Sequence, residues 1–97
     1  MDVNEELKKV LKEGEVIIGE KRAKKGILLG KVKLIILSSD LPERMKDEFK
    51  HYAEMSEIPF YDYPGTSKDL GYTCAKPFPI SSLAVVNEGG SKILQVK

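Results

Sequence analysis

Between Gly19 and Lys33 the chain sets six cations, Lys21, Arg22, Lys24, Lys25, Lys31 and Lys33, against the single anion Glu20. That segment carries +5, whereas the whole chain of 97 residues carries only +1. Residues 1–18 and 34–62 are acidic, at −2 and −4, and 63–97 hold +2. A local excess of lysine attracts phosphate by releasing condensed counterions, and it needs no base-specific contact to do so. The cluster opens on Gly19, directly after the apolar Val16-Ile17-Ile18, and continues into a helix. A helix N-terminus favours anions, and the carboxyl ends of strands are where α/β proteins hold ligands. Topology then predicts that Gly19–Lys21, Ser39–Asp40 and Phe78–Ile80 gather at one end of a sheet, as an RNA-binding rim would require.

Other chemistries fare worse. Gly26-Ile27-Leu28-Leu29-Gly30-Lys31 imitates a phosphate loop but has three residues between its glycines where four are needed. Val32 follows the lysine in place of Ser or Thr, and the segment leaves a helix for a strand, the reverse of the required order. His51 falls on the polar side of a helix, and with one His and one Cys a metal set is not expected. Cys74 reads as a small buried residue without an activating base. The sequence shows no cofactor loop or acid–base pair, so no cofactor, no metal and no enzymatic activity are expected.

The elements that must position the rim follow from apolar spacing. Val3, Leu7, Val10 and Leu11 make one face of a helix over 3–13, ended by Gly14. Val16–Ile18 is a short strand and 20–29 a second helix, closed by Gly30, with Lys21, Lys24 and Lys25 on one face. Lys33–Ser38 is a continuous apolar strand suited to burial on both faces. Ser38-Ser39-Asp40-Leu41-Pro42 offers an N-cap and an early-helix proline for a third helix over 42–55, buried through Met45, Phe49, Tyr52 and Ala53. Pro59-Phe60-Tyr61 starts a short strand, and Gly65-Thr66-Ser67-Lys68-Asp69 turns into a fourth helix near 67–74. Pro77-Phe78-Pro79 is a loop. Ser82–Val86 and Lys92–Val96 read as two strands of a hairpin around Asn87-Glu88-Gly89-Gly90. The order αβαβαβαββ predicts a central mixed sheet with helices on both faces.

With 41% apolar and 32% charged residues the chain reads as one folded domain, 1–97, rather than a disordered one. Its longest apolar runs, Leu34–Leu37 and Leu83–Val86, fall far short of the roughly 20 residues a membrane helix needs. The acidic start lacks the apolar core of a secretory signal, and a lone cysteine fits a reducing interior, so a cytoplasmic location is expected. Abundant Lys and Glu with few amides resemble proteins from hot environments.

Three strings in order and spacing resemble a known family. They are Gly19-x-Lys21-x-x-x-Lys25-x-x-x-x-Gly30-Lys31-x-Lys33-Leu34-Ile35-Ile36, then Tyr52-Ala53-x-Met55-Ser56, then Tyr61-x-Tyr63-x-Gly65-Thr66-Ser67-x-Asp69-Leu70-Gly71. Together they resemble the archaeal and eukaryotic large-subunit ribosomal protein family called L thirty e, over nearly the whole chain. The resemblance implies an α/β fold, a three-layer α-β-α sandwich with a central four-stranded mixed sheet. It also implies membership of the superfamily that binds kink-turn RNA, a sharply bent helix–internal-loop–helix with tandem G·A pairs. Carried over by motif, Gly19 would permit close backbone approach to RNA, and Lys21 and Arg22 fall where relatives read the G·A pairs. Lys25 matches a shared lysine. Asp40 takes the polar loop position after the second strand, and Phe78, Pro79 and Ile80 match the apolar loop near the extruded nucleotide.

Four positions depart from the pattern. The superfamily's better-known archaeal member has Asn-Glu in place of Lys21-Arg22. Asp40 stands where the ribosomal family tends to have Asn; an acid cannot donate a hydrogen bond, so it reads a different group or caps a helix. Ala75 replaces a frequent glycine. The partners implied are kink-turn ribosomal RNA and other large-subunit ribosomal proteins, with no membrane and a monomer when free. The alternatives are a related kink-turn binder in a small ribonucleoprotein or on a regulatory messenger RNA, a small α/β enzyme using the same crevice, and a protein-only interaction domain.

Overall fold

A computed structural model describes residues 2–96. Asp2 caps the first helix, α1 (Val3–Glu13), its carboxylate accepting from the Asn4 and Glu5 amides. The chain continues through β1 (Glu15–Ile18), α2 (Glu20–Leu28), β2 (Leu34–Leu37), α3 (Glu43–Met55), β3 (Phe60–Asp62), α4 (Ser67–Thr73) and β4 (Ser82–Asn87), and then forms a 3-10 turn at Ile93–Gln95. The four strands of the described residues form one sheet in the order β1-β4-β2-β3. β4 runs antiparallel to both its neighbours, and β2 and β3 are parallel, joined by α3.

Alternation along the strands sends side chains to two separate cores. Leu34, Ile36, Leu83 and Val85 pack with Leu7 and Val10 of α1, Leu70 of α4 and Ile93. Ile35, Leu37 and Ala84 pack on the other face with Ala23 and Ile27 of α2 and Phe49 and Ala53 of α3. All four residues of β2 are buried, as a strand covered on both faces demands. The fold is therefore α/β, a three-layer α-β-α sandwich with a central four-stranded mixed sheet.

One expected element is absent. Lys92–Val96 is not a strand, because β4, its intended hairpin partner, already has β1 along one edge and β2 along the other. The segment packs on α1 instead. The Glu6 carboxylate accepts from the Lys92 amide at 2.7 Å and from the Ser91 hydroxyl at 3.0 Å. Ser91 in turn accepts from the Ile93 amide and starts the 3-10 turn. The Lys92 amide and then the Ser91 hydroxyl hold the Glu6 pKa below its ordinary 4.5.

Candidate nucleic-acid interface

Strand direction decides what meets at each end of the sheet. Ile18 lies beside Leu83, Ser82 beside Leu37, and Leu37 beside Asp62, so β1, β2 and β3 all end where β4 begins. Four connections therefore share one rim, and short backbone bonds lock them together. The Gly19 amide donates to Ser82, Ser38 to Ser81, Ser39 to Gly65, and Ile80 to Ser67. Gly19, Asp40 and Phe78–Ile80 stand together on this rim, as the order of elements predicts.

Gly19 has φ +109 and ψ 148, a conformation nearly closed to other residues, and it turns β1 directly into α2. Beside it lies an open cleft of about 250 Å³ lined by Ile18, Gly19, Met45 and Pro79–Ser82, with Glu20 at its edge. α2 and α3 both begin here, and neither has a side chain capping its first turn. Their N-terminal amides lack a side-chain partner and favour an anion, an effect that Glu20 and Glu43 in the first turns offset in part. α4 differs, since Thr66 and Asp69 close its N-terminus as a reciprocal capping box.

The cationic segment does not stay together. Lys21, Arg22 and Lys25 are exposed on α2, and among the described residues none of them is in an ion pair. Lys24, expected on the same face, turns instead to Glu20 at 2.7 Å and to Glu48 of α3, with its ammonium 5.3 Å from the Phe49 ring centroid. Burial pushes the Lys24 pKa down, but the two carboxylates outweigh it and hold the value above the usual 10.5. This lysine ties α2 to α3. Lys31 and Lys33 follow the far end of α2, and Lys33 pairs with Glu88 at 3.0 Å beyond the opposite end of β4.

Asp40 does not cap α3, whose N-cap is Pro42. Its Oδ1 accepts from the Ser38 hydroxyl and the Ser67 amide, both at 2.8 Å, and its Oδ2 from the Ser67 hydroxyl at 2.9 Å. Ser38, then Ser67, lower its pKa from the ordinary 3.8. Since Ser67 also accepts from the Ile80 amide, Asp40 braces the loop carrying Phe78 through the start of α4. Phe78 is 48% exposed, whereas the Ile80 side chain is 2% exposed and belongs to the core. Ile80 thus brings backbone to the rim, and Phe78 and Pro79 bring its apolar surface.

Met45 and Lys46 were not legible as rim residues. Met45 lines the cleft, and the Lys46 ammonium donates to the Ser39 carbonyl at 3.1 Å. Both sit one turn into α3, where apolar spacing marked Met45 only as a core residue and gave no sign that this turn borders the cleft. His51 is exposed, and Cys74 is buried with its thiol pushed up to about 11 by desolvation, against a small opposing pull from Lys76. Among the described residues, no three His, Cys, Asp or Glu side chains converge to hold a metal, and no helix is long and apolar enough to cross a membrane.

Comparison with known proteins identifies the family and the fold. A large ribosomal subunit protein eL30 from Saccharolobus solfataricus is 50% identical over 91 residues, 94% of this chain and 84% of that protein. Another eL30, from Methanothermobacter thermautotrophicus, is 40% identical across 99% of this chain and 98% of its own length. Among solved structures, a protein of unknown function from Bacillus halodurans C superposes with a TM-score of 0.86 at 24% identity, covering 97% of this chain and 93% of that one, which shows the shared fold. The profile of one family spans residues 1–95. The chain belongs to the ribosomal protein L7Ae/L30e/S12e/Gadd45 family.

Proposed function

We propose that this chain is a non-enzymatic structural protein of the large ribosomal subunit that holds a kink-turn of ribosomal RNA on the rim described above. The observation that carries the reading is the meeting of Gly19 and the Phe78–Pro79 ridge at one end of the sheet, where α2, which bears the exposed cations Lys21, Arg22 and Lys25, begins. Relatives of nearly the same length named large ribosomal subunit protein eL30 support the assignment.

Each part of the rim has a task. Lys25 supplies phosphate affinity, and Lys21 and Arg22 reach base edges in the groove. The positive φ of Gly19 and its missing Cβ let the backbone of the β1–α2 turn come close to the RNA. Phe78 offers an apolar face to a nucleotide that the bend has unstacked. Asp40, with both oxygens engaged inside the protein, positions that face without reading RNA itself. Bending RNA costs on the order of a few kcal/mol by analogy with DNA, so these contacts must recover it.

The test compares affinity for a kink-turn duplex and a straight duplex of the same length. Wild type is expected to prefer the kinked RNA, and Phe78→Ala to lower that preference more than its general affinity. Equal binding of both duplexes by wild type would refute the kink-turn reading. Co-sedimentation with the large subunit after a high-salt wash checks the ribosomal assignment separately.

A further inference from the structure

Behind the rim, the outer face of α4 carries Tyr72, an apolar side chain that no role described so far uses. Tyr72 is 86% exposed, the most of any large hydrophobic side chain described. A groove of about 230 Å³ runs from it to Phe78, walled by Pro77 and Pro79 and flanked by Lys68 and Lys76. A second, shallower depression on the far side of Tyr72 shares Lys76 and Pro77 and adds Lys8 of α1. No carboxylate lines either one, and among the described residues none of the three lysines is in an ion pair.

The platform is rigid. Leu70 and Gly71 bury the inner face of α4, and the Tyr63 hydroxyl holds Asn4 at 2.6 Å and Thr73 at 3.0 Å. After α4 the chain turns sharply at Ala75, which has φ +56, and the Lys76 amide returns to the Gly71 carbonyl at 2.9 Å. That turn sets Lys76 beside Tyr72. Pro79 lines both this groove and the rim cleft, so the 77–79 loop is a ridge with one binding surface on each side.

An exposed aromatic face edged by unpaired lysines suits one ligand chemistry above others, an unpaired nucleotide with its base stacked and its phosphates near the cations. We propose that the Tyr72–Phe78 groove takes a single-stranded nucleotide flanking the bent element of the same RNA, as the strand crosses the ridge from the rim. This rests on the RNA reading of the rim, but it adds a second contact centred on Tyr72, Lys68 and Lys76, with Phe78 and Pro79 shared across the ridge. An acidic protein segment would match the lysines and leave the aromatic and proline walls without a counterpart.

The experiment measures the affinity of the full chain for a kink-turn duplex, blunt or carrying a short unpaired oligouridine tail on either strand. Wild type is expected to bind one tailed duplex roughly tenfold more tightly than the blunt one, the lower part of the range for base–aromatic stacking. Tyr72→Ala should abolish that gain and leave the blunt duplex unaffected, whereas Tyr72→Phe should retain it. Equal affinity of wild type for blunt and tailed duplexes would overturn the proposal, and so would equal losses on both in Tyr72→Ala. If the blunt duplex fails to bind, the rim reading falls alone, and oligouridine by itself then decides the groove. Binding that disappears in Tyr72→Ala upholds the groove, and no binding, or displacement by a polyglutamate peptide as readily as by oligouridine, rejects it.

Discussion

Gly71 sets the height of the Phe78–Pro79 ridge above α4, so adding one methyl group there tests whether the rim works by position. A Cβ at this residue would drive into the Phe78 carbonyl oxygen and lie 3.2 Å from both the Phe78 carbonyl carbon and the Pro79 Cα. These are backbone atoms, and the loop must retreat by on the order of 1 Å. Overpacking of this kind costs about 1–3 kcal/mol, and alanine returns up to about 1 kcal/mol of helix propensity over glycine. A net loss of about 1–2 kcal/mol lowers the melting temperature of a domain this size by roughly 5–15 °C. Displacing Phe78 by that distance forfeits a quarter to a half of its contact with a stacked base. Since such stacking is worth about 1–3 kcal/mol, affinity for kinked RNA should fall roughly 1.5- to 13-fold. Gly14→Ala is the matched control, because its Cβ would strike the Asn87 carbonyl at the other end of the sheet. Thermal melts and RNA titrations of both variants below their melting points are the assay. Both should lose stability, and only Gly71→Ala should lose affinity. Equal affinity losses in the two, or a Gly71→Ala protein as stable as wild type with unchanged binding, would refute the positional account of the ridge.

Lys25→Ala should flatten the dependence of log affinity on log salt by about one unit, whereas Lys24→Met should leave that slope unchanged and lower the melting temperature; equal slopes in wild type and Lys25→Ala would exclude a phosphate contact there. Glu6 has a lowered folded-state pKa, so its contribution to stability is complete above the ordinary value of 4.5 and is lost as pH falls through the lower folded value. Glu6→Gln should therefore weaken the acid dependence of thermal unfolding in that window, and a curve parallel to wild type would contradict the clamp on Ser91 and Lys92. Cys74, buried with its thiol pushed up to about 11, should resist a water-soluble disulfide reagent at neutral pH and react once the chain unfolds in guanidinium.

Most of the elements were legible because their signals are local. The Val3, Leu7, Val10 and Leu11 face and Gly14 mark α1, Thr66 and Asp69 start α4, and the run Leu34–Leu37 declares a strand covered on both faces. The error at 92–96 has a different origin. Asn87-Glu88-Gly89-Gly90 is a sound turn, but whether a hairpin follows depends on the free edge of β4, and β1 and β2 occupy both edges from more than 40 residues away. Meeting of the connections at one rim followed from the order of elements. Division of the cationic segment did not, because a helix carries Lys31 and Lys33 to the far end, and Lys24 finds a carboxylate 24 positions later. Asp40 looked like a cap for the helix next to it, and its true partner Ser67 lies 27 positions on.

β4 is central in the sheet although it comes after the other three strands in the chain. β1 and β2 never touch each other as strands, since each pairs with β4, and β2 has only β3 besides. A ribosome that has released the first eighty residues has therefore made both flanks of a slot and nothing to fill it. Closure depends on contacts between distant parts of the chain, a slow kind of assembly. The bonds from Gly19, Ser38 and Ile80 that fasten the rim all involve residues 80–82, so an unfinished chain has no grip to offer. On the proposed reading, RNA recognition is expected only of polypeptides whose synthesis has run past this strand.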